Sequence, residues 1–197
     1  MPTDRQDLRR RLAALAATQG GYFTAAQALK VGHGYPNQKF HVDRGNWTRV
    51  DRGIFRLPEW PIGTHDDLVR WGFWALGQAV VSHETALAVC DIGEFESSRV
   101  HLTVPPKFSK SDPFVVIHRA TLGDEDIDQR EGFRVTTVLR SLIDVAATNP
   151  DLDHLTRAIA EAREAGIVTP RRLRERSEEV DVRAALRIEQ ALSKQAN

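Results

Sequence analysis

Residues 47–57 constrain the fold more than any other part of the sequence, because they join two strand-like runs by a turn. Residues 47–50 and 54–57 are rich in β-branched and aromatic side chains. The turn at 51–53 ends in Gly53, and a three-residue hairpin needs glycine at its left-handed position. Three arginines lie along the ribbon: Arg49, Arg52 and Arg56. The segment therefore predicts a basic β-hairpin whose apolar side chains pack against helices.

Two helices are predicted at the start of the chain. Leucines at helical spacing, with arginines between them, make residues 5–18 an amphipathic helix, which Gly20 ends. Thr24 and Gln27 fit a capping box, in which both side chains bind backbone amides at a helix start. A second, short helix should therefore run from there to about residue 31.

A third helix should follow the glycine-rich turn at 32–34. Pro36 suits the first position of a helix, and Gly45 suits its end. Three helices followed by a hairpin predict a winged helix-turn-helix domain over residues 1–60.

The third helix has the side chains of a recognition helix. Phe40 is expected to face the core, and the polar residues are expected to face outward: Tyr35, Asn37, Gln38, Lys39, His41 and Arg44. Amide side chains can bind adenine edges, and cationic ones can bind guanine or phosphate. Together with the hairpin arginines, these residues are the predicted DNA contacts. An ordinary solvated helix face is the alternative interpretation.

The charge distribution agrees with a polyanionic partner for the first third of the chain. The formal net charge is zero, but residues 1–60 hold ten Lys/Arg against five Asp/Glu, and residues 61–197 hold seventeen against twenty-two. Because phosphate neutralisation depends on local charge, the basic segment is expected to approach double-stranded DNA. Chance clustering of charge is the alternative.

Composition excludes several protein classes. With 41% hydrophobic and 27% charged residues, the chain is typical of soluble globular proteins. No apolar run approaches the ~18 residues of a membrane span, and the first residues lack the apolar stretch of a secretory signal. We therefore expect a cytoplasmic protein without a membrane partner. Cys90 is the single cysteine, so an intrachain disulfide and a thiolate metal cluster are excluded.

Residues 64–197 are predicted to form a second, mixed α/β domain, which makes the whole chain α+β. Prolines and a glycine at 58–63 mark the boundary, and the apolar helix that follows should anchor the second domain's core. Strand-like runs at 100–104 and 114–118 should pair. The chain should then become helical after a short strand at 134–136. Arg140 and Asp144, four positions apart on a helix, are able to pair.

Three polar segments of this second part carry weaker signals. Ser82, His83 and Glu84 suggest a nucleophile or a metal site, but no second histidine lies four positions later, and helix capping is the preferred interpretation. The acidic run 123–128 lacks the ligand spacing of an EF-hand and is expected to be a solvated loop. The arginines at 171–176 fit either a nucleic-acid contact or a solvated helix with glutamate partners.

Four segments resemble the AbiEi family, the antitoxin component of bacterial type IV toxin-antitoxin systems. They are GYFTAAQA at 21–28, WTRVDRGIFRL at 47–57, SHETAL at 82–87 and VTTVLRSLID at 135–144. The resemblance covers most of the chain. It implies a winged-helix domain followed by an α/β antitoxin domain with a helical C-terminus, and repression of the protein's own promoter at inverted repeats. It also implies neutralisation of a nucleotidyltransferase toxin, directly or indirectly, without catalytic residues, cofactor or metal.

Two other functions compete with this hypothesis. A metal-dependent endonuclease would need clustered acidic residues and a lysine, and Asp91, Glu94 and Lys107 lack the compact spacing of such a site. A transcription regulator that senses a small molecule would need a pocket, for which Trp71 and Trp74 are the candidate lining residues. The sequence alone does not separate such a pocket from a solid core.

Overall fold

The computed structural model describes residues 5–95, 97–148 and 150–195, which form two compact units. The first unit runs to Ala79 and includes Arg130–Phe133, and the second contains the other described residues. Each unit has its own β-sheet and its own helices, so the fold is α+β, as predicted.

The first unit alternates short helices with a three-stranded antiparallel sheet. Its elements are α1 (Arg5–Ala17), β1 (Tyr22–Thr24), α2 (Ala25–Val31), α3 (Tyr35–Asp43), β2 (Thr48–Asp51), β3 (Ile54–Arg56) and α4 (Asp66–Trp74). The strand order is β1-β3-β2, with Phe23 opposite Phe55 and Phe55 opposite Arg49. The hairpin of β2 and β3 matches the prediction, whereas the pairing strand β1 was not expected.

The local signals in the sequence explain the ends of these elements. Gln27 N–H donates to Thr24 Oγ1 at 3.1 Å and Thr24 N–H donates to Gln27 Oε1 at 2.8 Å, which confirms the capping box. Gly32 ends α2 with φ 119°, and Gly53 turns the hairpin with φ 71°. Both backbone conformations favour glycine because it has no Cβ.

Aromatic side chains form the core of the first unit. Phe23 is fully buried and lies edge-on to Trp47, with ring centroids 4.9 Å apart, and Phe55 lies 5.7 Å from Trp47. Leucine and alanine side chains of α1, with Ala28 of α2, complete this core. Apolar side chains in β1, in β3 and directly before β2 therefore fix the sheet, and with it the hairpin, to the helices.

Helix α4 belongs to the first unit, so the second unit begins at Val80 and not near residue 64. Tyr22 O–H donates to Asp66 Oδ2 at 2.6 Å, and the rings of Tyr22 and Phe73 stack at 5.9 Å. The sequence placed this helix in the second domain because the prolines before it suggested a boundary. Its contacts with β1 could not be predicted, since β1 itself was missed.

The second unit combines a five-stranded mixed sheet with a group of helices. Its elements are β4 (Val80–Val81), α5 (His83–Val89), β5 (Val100–Val104), β6 (Val115–Arg119), β7 (Ile127–Gln129), β8 (Arg134–Thr136), α6 (Val138–Ala147), α7 (Leu152–Glu164), α8 (Pro170–Val180) and α9 (Val182–Gln195). The strand order is β6-β5-β4-β8-β7, and the predicted pair β5–β6 is parallel.

The apolar core of the second unit lies between its helices. Leu142, Ile143, Leu155 and Ile159 are fully buried, and Leu173 of α8 and Ile188 of α9 join the same cluster. Helix α6 is buried over most of its length. Thr169 caps the start of α8, since its hydroxyl accepts from Arg172 N–H, and Gly166, with φ 71°, follows the end of α7.

A buried ion-pair network includes Asp126, which lies within the run 123–128 that was expected to be a solvated loop. Asp126 is 3% exposed, and its carboxylate accepts from Arg140 Nη1 at 2.7 Å and from Arg176 Nη2 at 2.9 Å. Arg140 also donates to Asp144 at 2.8 Å, as the four-residue spacing predicted. The solvated-loop prediction was wrong for Asp126, because its two arginine partners lie 14 and 50 residues away along the chain.

The arginines at 171–176 have acidic neighbours. Arg171 pairs with Glu175 at 2.7 Å, Arg174 with Glu189 at 2.6 Å, and Arg176 with Glu179 at 2.8 Å. These pairs agree with the solvated-helix alternative for this segment. Among the described helices, none combines the length and the apolar character needed to span a membrane.

Candidate nucleic-acid interface

Helix α3 exposes a polar face. Tyr35 is 65% exposed, and Asn37 and Lys39 are exposed as well. Lys39 Nζ lies 2.7 Å from Asp43 Oδ2, but this pair is open to solvent and is therefore weak. Lys39 can exchange that partner for a phosphate at little energetic cost. Three of the predicted contact residues are thus available on this helix.

The predicted orientation of Gln38 and Phe40 was wrong. Gln38 is 3% exposed, and its Nε2 donates to the carbonyl oxygens of Ala25 at 3.0 Å and His33 at 2.8 Å. Phe40 is 50% exposed, and the guanidinium of Arg44 lies over its ring at 5.5 Å. A buried amide that satisfies backbone carbonyls is a stable arrangement, so Gln38 joins α2 to α3 and is not available to a base edge.

His41 lies at the margin of the exposed face. Its ring stacks on Trp47, with centroids 4.7 Å apart, and Asn46 Nδ2 lies 3.2 Å from its Nδ1. Burial lowers the pKa of His41, and the neighbouring His33 and Arg9 lower it further. The ring is therefore neutral at neutral pH, so it can offer a hydrogen bond to DNA but not a full positive charge.

The hairpin carries two freely exposed arginines. Arg49 in β2 and Arg52 at the turn are exposed, and neither forms an ion pair with a residue that the structure describes. Asp51 is occupied locally, since its carboxylate accepts from Arg52 N–H at 2.6 Å. Both guanidinium groups can therefore bind an external anion without breaking an internal contact.

Arg56 has a structural role, in contrast to the prediction. Its Nη2 donates to the carbonyl oxygens of Trp60 at 2.8 Å and Pro61 at 2.9 Å, and its Nε lies 3.4 Å from Asp66 Oδ1. Its side chain is only 11% exposed. Arg56 holds the segment after the hairpin and does not reach a phosphate.

A cleft beside α3 adds two cations that sequence reasoning did not select. It has a volume of about 980 Å³ and is lined by residues of α1 and α3, by the segment that leads into β2 and by residues that follow β3. Its lining includes Arg5 and Arg9 of α1 together with Asn37, Phe40 and His41 of α3. The arginines of α1 were treated only as the polar face of an amphipathic helix, and their position beside α3 depends on tertiary packing.

The residues considered for an endonuclease site do not form a metal-binding group within the described chain. Glu94 is exposed and pairs with Arg157 at 2.5 Å, and Asp91 is also exposed. Neither belongs to a group of side chains close enough to hold one ion. Lys107 lies in the exposed segment after β5.

The tryptophans considered for a sensor pocket lie in the first unit. Trp71 is 6% exposed, and its ring meets Trp74 edge-on at 5.4 Å. Neither lines the cleft beside α3.

The chain shares its fold with a protein of known structure. No protein-family model and no curated protein matches the chain. The structure is similar to a crystal structure of the RV2827C protein from Mycobacterium tuberculosis, with a TM-score of 0.63 and 13% sequence identity. The alignment covers 97% of this chain and 78% of that chain. At this identity the likeness establishes the fold alone.

Proposed function

We propose that the protein binds double-stranded DNA through its first unit, with α3 as the recognition helix and the β2–β3 hairpin as the wing. The observation that carries this proposal is the pair of exposed hairpin arginines, Arg49 and Arg52, in the same small unit as the exposed polar face of α3. The negatively charged phosphate backbone of DNA attracts exposed arginines that have no acidic partner within the protein.

The element order supports a winged helix. Helices α1, α2 and α3, with β1 between the first two, precede a hairpin that pairs with β1 in one antiparallel sheet. The turn at Gly32 and the buried Gln38 fix α3 against α2, as a helix-turn-helix requires. Rigid placement of α3 matters because base edges are recognised only in a defined orientation.

Each exposed side chain has a distinct role in the proposal. Lys39 and Arg44 neutralise phosphates at the edges of the groove that α3 enters, and Asn37 is the candidate for a bidentate contact with adenine. Arg49 and Arg52 bind the adjacent backbone. Tyr35, at the N-terminal end of α3, offers a hydroxyl to a phosphate oxygen. Specificity then rests on α3, and the salt dependence of binding rests mainly on the four cations.

The resemblance to the AbiEi family extends the proposal to a biological role. We infer that the protein is a cytoplasmic antitoxin that represses its own operon at inverted repeats and neutralises a nucleotidyltransferase toxin. In this role the second unit would neutralise the nucleotidyltransferase toxin, either directly or indirectly. A gene for such an enzyme next to this one would support the role, and an isolated gene would favour a plain transcription regulator.

A salt series with matched variants tests the DNA-binding face. Affinity for the gene's upstream DNA is measured by fluorescence anisotropy for the wild type, for Lys39→Ala and for the double variant Arg49→Ala/Arg52→Ala. Each phosphate contact contributes about 0.9 to the slope of log affinity against log salt, so the double variant should lower the slope by about two.

Arg171→Ala is the control, because Arg171 is also exposed but has an acidic partner in the second unit. Its slope should equal that of the wild type. Unchanged slopes for Lys39→Ala and for the double variant would remove this face from the proposal.

A further inference from the structure

Three histidines meet in the second unit. His83 begins α5, His101 lies in β5 and His118 lies in β6. His101 Nδ1 and His118 Nε2 are 3.2 Å apart, and the rings of His83 and His118 stack with centroids 3.4 Å apart. One nitrogen from each ring lies within 4.8 Å of those from the other two.

The sheet explains why these residues come together. In the parallel pair β5–β6, His101 lies opposite Val116, so His118 is two positions further along and on the same face. Val81 of β4 pairs with Leu102 and leads through Ser82 into His83. His83 has φ 55°, a conformation that a side chain with a Cβ rarely adopts. Strained residues of this kind cluster at functional sites.

The stacked arrangement of two of the rings favours their neutral form. The ring centroids of His83 and His118 are 3.4 Å apart, and two imidazolium ions at that distance would repel each other. A neutral imidazole keeps a nitrogen lone pair that can bind a metal ion.

A carboxylate completes the cluster. Glu84 Oε2 lies 2.8 Å from His101 Nδ1, and this oxygen is buried without a regular hydrogen bond to any described residue. A carboxylate beside metal-binding histidines either binds the ion or orients a ring. Ser82 is fully buried, and its hydroxyl lies 2.9 Å from His83 Nδ1 and accepts from Thr103 at 2.8 Å. Because it is buried, Ser82 is not an accessible nucleophile.

We propose that His83, His101 and His118 form a binding site for one divalent transition-metal ion of the zinc class, with Glu84 as the adjacent carboxylate. Three imidazoles and a carboxylate suit Zn²⁺ or Co²⁺ and not Mg²⁺ or Ca²⁺, which prefer oxygen ligands. Zn–N bonds of about 2.0–2.1 Å in tetrahedral geometry place nitrogens about 3.3 Å apart. His101 Nδ1 and His118 Nε2 already have about this spacing. A nitrogen of His83 lies within 4.8 Å of both, and the His83 ring would turn out of its stack on His118 to bind the same ion.

The ion would join three elements that are distant in sequence. It would connect the start of α5 to β5 and β6, next to the strand β4 at the middle of the sheet. Because the unfolded chain does not hold the three rings together, binding stabilises the folded second unit. The site lies outside the proposed DNA-binding face, so the two proposals fail or succeed independently.

Cobalt binding tests the proposal on the full-length protein, produced without a histidine tag and freed of metal by a chelator. Co²⁺ is titrated and its visible absorption is recorded, since tetrahedral Co²⁺ absorbs far more strongly than hydrated Co²⁺. The wild type should bind one Co²⁺ per chain, and Zn²⁺ should displace it. His101→Ala and His118→Ala should lose stoichiometric binding, while His154→Ala, which removes an exposed histidine of α7, should retain it.

Circular dichroism establishes that each variant is folded. The wild-type titration tests the metal-site proposal even if a variant unfolds. Absence of a stoichiometric tetrahedral spectrum in the wild type would overturn the proposal, as would an unchanged spectrum in folded His101→Ala and His118→Ala variants.

Discussion

Removal of Arg140 should destabilise the second unit strongly. Its side chain is 8% exposed and pairs with Asp126 at 2.7 Å and Asp144 at 2.8 Å. In Arg140→Met, Asp126 keeps Arg176, but Asp144 loses the only cation within ion-pair distance among the described residues. Breaking a buried pair by removing one partner costs about 3–5 kcal/mol. We expect a loss of this size at pH 8.

The loss should depend on pH in a defined direction. Burial already raises the pKa of Asp144 to about 6 in the presence of Arg140, and the variant should raise it further. A carboxyl whose pKa is raised in the folded state adds stability at low pH and loses it as pH rises through the folded pKa. Between pH 8 and pH 6 the variant should therefore recover part of the loss relative to the wild type, by at most about 1.4 kcal/mol per pH unit.

Urea unfolding followed by far-ultraviolet circular dichroism measures this effect. All four tryptophans lie in the first unit, so their fluorescence reports on that unit separately and should change little. Arg171→Met, which removes an exposed pair with Glu175, is the control and should leave the unfolding free energy unchanged. A loss below about 1 kcal/mol at pH 8, or a loss independent of pH, would refute this account of the network.

Two further predictions concern the corrected orientation of α3, and tryptophan fluorescence measures both. Gln38→Ala should lower the unfolding free energy of the first unit by about 1–3 kcal/mol, because two buried carbonyls lose their donor; a neutral substitution would contradict its structural role. Phe40→Ala should lower the unfolding free energy of the first unit by less than about 1 kcal/mol, since the ring is half exposed. A loss of about 3–5 kcal/mol, typical of a core phenylalanine, would instead support the prediction that Phe40 faces the core.

Local signals in the sequence predicted most of the first unit. The capping box of Thr24 and Gln27 and the turn at Gly53 depend on neighbours within a few residues, so they can be recognised without tertiary information. The strand β1 was missed because three residues are too short for a periodic pattern. Gln38 was misplaced because a buried amide bound to backbone carbonyls has the same sequence signature as a surface residue.

Long-range contacts account for the rest of what the sequence could not predict. His83 was set aside as a ligand because a second histidine was sought four positions later on the same helix. The partners are His101 and His118, which adjacent strands bring to it. The same limit applies to Asp126, whose second cation, Arg176, is 50 positions away. Strand register, which brings His101 and His118 to the same face, is a property of the folded sheet.

The most direct test of the central claim is a gel-shift titration of the wild-type protein on the DNA upstream of its own gene and on scrambled DNA of equal length, across a salt series. We expect retardation that favours the upstream DNA and weakens steeply as salt rises, because phosphate contacts release counterions. Equal affinity for both DNAs at every salt concentration, or no retardation, would contradict the assignment of α3 and the hairpin as a sequence-reading surface.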